Sequence, residues 1–530
     1  MDRRTFLHLT GTTALVTLAA PALVGCAGAD RPAWTKGDPF ALGVAAGDPT
    51  PDGFVLWTRL APDPLSADPA TPGGLSVGNI GIGYEIATDP ALRDIVRRGS
   101  AIAEAAHAHS VHLEVSGLAP GRPYWYRFTS GNAQSRIGRA MTLPALGARV
   151  DKLRFAFVSC ANYEIGYFSA YRHLADEQPD LVLFLGDYIY EYMERRRPTV
   201  RMHSDGVEAT TLPTYRNRYA QYRLDPDLQR LHAVAPMLVT WDDHEVDNDY
   251  VGEWSMRFID PAVFLKRRAV AYQAFYEHMP LRPDRYRSGP TGPAIRLHDR
   301  FAFGDLVEFA VLDPRQYRSR QACPIPPNRG GGHLETIASC PELIEPARSF
   351  LGAAQEGWLM DGFTRSPARW NVIAQSTLMA QWRQRMENKE ISFWTEDWNG
   401  YEPSRTRLLH HLHDARVTNP VVIGGDIHSF WANDLKLDFN DPKSPTIATE
   451  FVGSSITSFG PPHEQFLTYL PDNPHVRFFE ARHRGYVAVD LTRQSMTTQF
   501  RNVSDVRLLD AGISTLKNFT VEHGRAGVQI

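Results

Sequence analysis

Leu181-Val182-Leu183-Phe184-Leu185-Gly186-Asp187-Tyr188-Ile189-Tyr190-Glu191 opens with five consecutive apolar residues. The run is too short for a helix and has no polar alternation, so it reads as a strand buried on both faces, as in a sheet covered by other layers. Gly186 breaks the run and Asp187 follows at once. A carboxylate therefore stands at the downstream end of the strand, where open α/β sheets present ligands. The same grammar recurs three times: residues 153–158 lead into Ser159-Cys160-Ala161-Asn162, residues 236–240 into Trp241-Asp242-Asp243-His244-Glu245, and residues 421–423 into Gly424-Gly425-Asp426-Ile427-His428. Singly, a buried aspartate is more often a helix cap and a cysteine a small hydrophobe. Four such groups at the same end of four strands point to one metal site. Further strands are expected at 306–312 and 370–374, and helices at 168–177, 261–277 and 353–363, giving a layered α/β (α+β) enzyme domain.

Residues 37–148 differ. Short alternating stretches such as 53–60, 81–87 and 112–115 are separated by Gly- and Pro-rich turns, and Tyr124-Trp125-Tyr126-Arg127-Phe128 follows the turn residues Leu118-Ala119-Pro120-Gly121-Arg122-Pro123. That spacing is similar to an immunoglobulin-like or fibronectin-like sandwich. A small all-β domain is expected before the enzyme domain.

At the N-terminus, Arg3-Arg4-Thr5-Phe6-Leu7 precedes an apolar stretch over 13–24, shorter than the ~20 residues of a spanning helix. This is a twin-arginine export signal. Leu23-Val24-Gly25-Cys26 resembles a lipobox, in which Cys26 is lipidated; the alternative is soluble release. Cys323 and Cys340 flank a Pro- and Gly-rich loop, and in an oxidising compartment a bond between them contributes roughly 3 kcal/mol. The alternative is two free buried thiols. Cys160 is then left over and needs a reason. Across 530 residues, 43% hydrophobic and 22% charged with a net charge of −4, nothing suggests a nucleic-acid binder or a disordered chain.

The order of the four strand-end groups resembles calcineurin-like metallophosphoesterases, whose motifs run D-x-H, G-D-x-x, G-N-H-E and G-H-x-H. Here Cys160 replaces the first aspartate, Asp243 the asparagine and Asp426 a histidine, while Tyr190 three residues after Asp187 is similar to purple acid phosphatases. This variant set resembles the PhoD-like alkaline phosphatase and phosphodiesterase family. So do the segments at 312–318, 351–359, 397–401 and 451–458, and the resemblance spans about residues 37–500. It implies a signal with lipobox over 1–26, a linker over 27–36, an N-terminal sandwich over 37–148 and a catalytic domain over 149–515.

Thiolate, carboxylate and phenolate donors suit a highly charged cation, so Cys160, Asp187, Tyr190 and His428 fit Fe(3+). Asp187 can bridge to a second ion held by Asp243 and Asp426, hard oxygens that favour calcium or magnesium over zinc. The resemblance implies Fe(3+) with Ca(2+); ligand type alone leaves manganese open. It also implies hydrolysis of phosphate mono- or diesters by a metal-bridged hydroxide. His244 holds the position of the family's catalytic histidine and either protonates the leaving oxygen or orients Asp243. Asn162 is a candidate phosphate donor or an ordinary turn residue. Arg315, with Arg318, either grips phosphate in two bonds or sits in an interior ion pair. The Arg195-Arg196-Arg197 run reads as a solvated loop, and the aromatics from Phe393 to Tyr401 mostly as core.

An exported, lipid-anchored monomer is expected, at the periplasm or cell surface, touching the membrane only through its anchor. Its substrates would be small phosphate esters or phospholipid or polymer diesters. Phospholipase D activity is the enzymatic alternative, and a non-catalytic surface-binding lipoprotein the non-enzymatic one.

Overall fold

A computed structural model describes residues 34–529 apart from 67, 290, 291 and 329. The expected export signal, Cys26 and residues 27–33 of the linker lie outside the described residues. Among the described residues no helix is long and apolar enough to cross a membrane.

Two large sheets face each other. The first has nine strands in the order Ile513–Glu522, Ser495–Val503, Gly485–Thr492, Lys152–Val158, Leu181–Leu185, Met237–Thr240, Val44–Thr50, Gly53–Arg59 and Ser110–Val115. The second has seven, in the order Asp299–Phe303, Val307–Val311, Trp370–Ala374, Pro420–Gly424, Thr446–Val452, Phe430–Lys436 and Val476–Glu480. Their facing surfaces share one core that includes Phe155, Leu183, Phe309, Val372, Ile423 and Phe451. Helices cover the outer faces: Ser169–Asp176, Leu212–Arg223, Pro226–Val234 and Pro261–His278 on the first, Gly352–Arg365 and Glu402–Asp414 on the second.

The uninterrupted apolar runs follow from this layering. In Leu181–Leu185, Leu181, Leu183 and Leu185 enter the core between the sheets, while Val182 and Phe184 pack beneath the helices. A strand with two dry faces has no polar side to show. Helix starts are equally local: Asp260 caps Pro261–His278 by accepting the Ala262 N–H, and Pro261 supplies the first-turn φ.

The N-terminal segment is all-β, but one of its two layers belongs to the enzyme sheet. Ile95–Ala103, Ile80–Ala87, Pro123–Ser130 and Ala133–Gln134 form a separate sheet, to which Gly138–Met141 adds. Its partner layer, made of Val44–Thr50, Gly53–Arg59 and Ser110–Val115, continues the nine-stranded enzyme sheet through the parallel bridge of Gly47 with Met237. The core of this sandwich holds Phe54, Leu56, Ile82, Ile86, Tyr124 and Phe128. At the other end of the sheet, the edge strand Ile513–Glu522 runs past the expected boundary at 515.

Candidate metal centre

Three of the four strand ends turn into left-handed backbone at the functional residue. Cys160, Asp187, Asp426 and His428 all adopt left-handed backbone, with φ of 60°, 54°, 62° and 52°. Non-glycine residues there cost about 1–3 kcal/mol each and persist only where surrounding structure enforces them, typically at functional sites. Glycine is demanded just before: a Cβ on Gly186 would stand 2.5 Å from Cβ of Asp242, and one on Gly425 2.3 Å from Oγ of Ser159. The four ends thus pack closely against one another. Cys160 N–H also donates to the Gly186 carbonyl at 3.1 Å and Ala161 N–H to that of Asp187 at 3.0 Å.

Two sets of close donor atoms result. Cys160, Asp187 and His428 bring one ligand atom each within 4.8 Å of one another, and so do Asp187, Asp243 and His244. Asp187 belongs to both. Tyr190 joins the first set, its hydroxyl donating to Asp187 Oδ2 at 3.0 Å and standing 3.2 Å from His428 Nε2. Ser458 donates to the same phenol oxygen at 2.6 Å. His428 Nδ1 is paired with the Phe459 carbonyl at 2.8 Å, which leaves the Nε2 lone pair for the cluster. Asp426 lies outside both sets; its Oδ2 accepts from Thr377 Oγ1 at 2.8 Å. The second set therefore takes His244 where the sequence suggests Asp426.

The electrostatics call for a cation. Burial, then Asp187, pushes the Cys160 thiol and the Tyr190 phenol well above their usual range, and burial with neighbouring acids raises Asp187 as well. Burial, Glu396 and Asp243 push Asp426 up to about 7. Asp243 goes the other way: burial opposes ionisation, but the Arg315 guanidinium and His244 hold its carboxyl below the carboxylate range. Its Oδ1 is buried with no hydrogen-bond partner, while Oδ2 accepts the Asp249 N–H at 2.7 Å. An orphaned carboxylate oxygen beside sulfur, phenol, imidazole and a second carboxylate is a donor set completed by metal ions, whose charge reverses the protonation that burial favours.

The remaining candidates divide. His244 Nδ1 donates to Glu191 at 2.7 Å, and its ring lies 4.2 Å from that of Tyr190. It is thus held by Glu191, with no side-chain bond to Asp243. Burial opposes its protonation, but Glu191, Asp243 and Asp187 raise it well above the ordinary histidine range. Asn162 makes a turn, its Oδ1 accepting the Glu164 N–H at 3.0 Å and its amide reaching Tyr192 at 3.3 Å. Arg315 is an interior ion pair: fully buried, it binds Asp242 and Glu396 and stands 3.8 Å from Asp243. Arg318 also binds Glu396. Of the two alternatives for Arg315, this arrangement shows the interior ion pair, with its guanidinium flanked by carboxylates. Cys323 and Cys340 are disulfide-bonded.

Several contributors have roles that the sequence does not reveal. Glu245, buried, accepts backbone N–H groups of Asp187 at 3.2 Å, Tyr188 at 2.5 Å and Asp242 at 2.9 Å, so it locks two strand ends together. Glu191 and Ser458 act on His244 and Tyr190 as described. Two cavities meet at His428, Phe459 and Arg197. One, of about 630 Å³, holds Tyr190, His244, Asn162 and the whole of Arg195–Arg197. The other, of about 430 Å³, holds Asp426 and an aromatic wall with Trp382, Trp394 and Phe466. Trp394 thus lines the site, whereas Trp398 and Tyr401 are core.

Comparison with known proteins assigns this geometry. Residues 155–500 match the model of the PhoD-like phosphatase family and residues 25–144 that of its N-terminal domain. The chain belongs to the PhoD-like phosphatase family. Alkaline phosphatase D of Bacillus subtilis (strain 168) is 40% identical over 537 residues, covering 100% of this chain and 89% of that protein. The solved structure of PhoD superposes with a TM-score of 0.87 at 41% identity, over 94% of this chain and 93% of the other. Purple acid phosphatase 15 of Arabidopsis thaliana is 25% identical over 158 residues, 28% of this chain and 29% of that protein. As a PhoD-like phosphatase the chain is a hydrolase of phosphate esters, and its family implies dependence on metal.

Proposed function

We propose that this PhoD-like phosphatase hydrolyses phosphate mono- and diesters with two metal ions: Cys160, Asp187, Tyr190 and His428 would hold Fe(3+), and Asp187, Asp243 and Asp426 would hold Ca(2+). The carrying observation is that Asp187 is shared between two donor sets, the soft and phenolic one around Cys160 and the one formed with Asp243 and His244. When bound, such ions supply Lewis-acid polarisation of the phosphoryl oxygens and acidify a water. The protein's own groups do the rest. Glu191 fixes His244 through Nδ1, so that its other nitrogen can deliver a proton to the leaving oxygen. Asn162 and Tyr192 line the larger cavity, where the Asn162 amide would be a donor to a bound phosphoryl oxygen.

The same proposal includes export by the twin-arginine route and a lipid anchor at Cys26, at the periplasm or cell surface. The Cys323–Cys340 disulfide supports an oxidising location.

The test combines metal analysis, visible absorption and turnover on protein purified from an exporting host. Iron and calcium should co-purify, and phenolate and thiolate bound to Fe(3+) should give a charge-transfer band that Tyr190→Phe shifts or weakens. p-Nitrophenyl phosphate and bis-p-nitrophenyl phosphate should both be cleaved. A fully active, colourless, iron-free enzyme would sink the Fe(3+) assignment.

A further inference from the structure

We propose that Arg195, Arg196 and Arg197 form a second anion subsite at the mouth of the metal cavity, selecting esters that carry a further phosphate away from the reacting one. This rests on the phosphatase reading above and adds a specificity determinant to it.

Three consecutive arginines are ordinarily a solvated stretch, and here all three are exposed. Their placement is not ordinary. All three line the cavity of about 630 Å³ that contains Tyr190, His244 and His428, a size that takes a whole small molecule rather than a lone phosphoryl group. Among the described residues none of the three guanidiniums has a carboxylate partner, whereas Arg257 on the same cavity is paired with Glu208 at 2.9 Å. The rim thus carries three guanidiniums against the single carboxylate of Glu194, which is spent on the Arg196 backbone N–H at 2.7 Å, while Glu191 on the same cavity is taken by His244.

The segment bearing them is anchored. Glu164 is buried four residues after Cys160; its carboxylate accepts the N–H of Glu194 at 2.6 Å and of His203 at 3.1 Å, and its carbonyl accepts that of Val200 at 2.9 Å. Arg201 adds a 2.6 Å bond to the Tyr163 carbonyl and a 2.7 Å ion pair with Asp225. Both ends of the arginine stretch are therefore tied to the loop that carries the Cys160 donor. Arg197 is fixed further by its guanidinium 4.4 Å from the Phe459 ring centre, and the Phe459 carbonyl is the acceptor for His428 Nδ1. One cationic side chain is thus a single contact removed from a proposed metal ligand.

The chemistry of the occupant follows. The reacting phosphoryl goes to the metal donors, so the rim is free for another anion, and a planar guanidinium favours an oxyanion it can meet with two parallel N–H bonds. Because the arginines are exposed, the preference they create is moderate and screened by salt.

The test uses two diesters that release the same chromophore, thymidine 5′-(p-nitrophenyl phosphate) and its 3′-phosphorylated counterpart, with p-nitrophenyl phosphate as a third substrate. On metal-loaded wild-type protein the 3′-phosphorylated diester should have the higher kcat/KM, on the order of tenfold at low salt, with the advantage shrinking at high salt. R195A/R196A/R197A should lose the advantage, and the R195K/R196K/R197K variant should recover only the salt-sensitive part of it, short of wild type. The anchoring bonds are made by Glu164, backbone groups and Arg201, none of them an altered side chain, so the alanine variant should keep the wild-type circular dichroism and metal content. Equal kcat/KM for the two diesters in the wild type, or an advantage that survives the triple alanine change, overturns the subsite. Failure of the wild type to cleave any of the three substrates overturns instead the phosphatase reading beneath it.

Discussion

Asp187 answers to both donor sets at once, and its left-handed backbone, the Gly186 turn and the Glu245 carboxylate on its N–H all serve that position. Asp187→Asn removes the shared charge while keeping the shape. It should lower kcat by at least about three orders of magnitude, with loss of bound metal measured by elemental analysis; retained metal and rate would refute the sharing. Glu191→Gln makes a finer test, because Glu191 touches His244 and the Asn248 N–H. Turnover should fall by about one to two orders of magnitude with KM and metal content nearly unchanged, whereas a purely structural role would lower thermal stability and leave kcat alone. The candidate donors Cys160, Asp187, Tyr190, Asp243 and His428 are legible in sequence because each lies just after an apolar strand, and the fold brings them together. What Glu191 and Glu245 do is not, since an acidic residue at the end of a motif is ordinary until the fold shows what it binds. Arg315 has the same ambiguity, and only its neighbours Asp242 and Glu396 reveal an ion pair.

Elements were legible in proportion to how local their causes are. Leu181–Leu185 and Trp370–Ala374 announce themselves because both faces are dry, and Pro261–His278 because Asp260 and Pro261 mark its start. The arginine-bearing segment is illegible for the opposite reason. Its position depends on Glu164, 30 residues before Glu194, and a charge run has no periodicity to betray which way it faces. The loop closed by Cys323 and Cys340 is an intermediate case, with a sequence separation of 17 that sets the entropy of closure. Replacing both cysteines by serine should lower unfolding free energy by about 3 kcal/mol, read from urea midpoints, while kcat stays within about twofold because neither sulfur belongs to the two donor sets around Asp187. A second element-scale prediction concerns His112 in Ser110–Val115, whose ring stacks 4.1 Å from that of Tyr276. Burial depresses it to about 3. The folded protein therefore keeps it neutral while the unfolded chain takes up a proton below about pH 6.5, so its stabilising effect is complete above that pH and is lost progressively as pH falls toward 3. His112→Gln should flatten the acid side of the stability curve by about 1.4 kcal/mol per pH unit between those limits; an unchanged slope would show that another group sets it.

At the scale of the whole molecule, the N-terminal sandwich and the metal-bearing sheet share strands, and sequence had little chance of showing it. The link between Val44–Thr50 and Met237–Thr240 is a single parallel bridge across nearly 200 residues of chain, made by backbone groups that any residues possess. The seam is then sealed by side chains that look unremarkable one at a time. Trp57 is fully buried; its indole N–H donates to the Glu277 carbonyl at 3.0 Å, and the Arg223 guanidinium lies 3.8 Å from its ring. Arg59 meets His278 Nε2 at 2.8 Å, and Arg285 meets Asp48 at 2.5 Å. Each of these would be left as an unpaired buried charge or an open cavity if the two parts came apart, which links their stabilities. Calorimetry of the metal-loaded protein should therefore show one unfolding transition, in which loss of activity, tryptophan fluorescence and far-UV signal coincide. Trp57→Ala should destabilise the protein by about 3–5 kcal/mol through the cavity it opens. Although Trp57 lies far along the sheet from Asp187, the midpoint for loss of activity should fall together with the midpoint for loss of structure. Two separated transitions in the variant, with the enzyme sheet melting at its wild-type temperature, would show that the bridge is only a contact between independent domains.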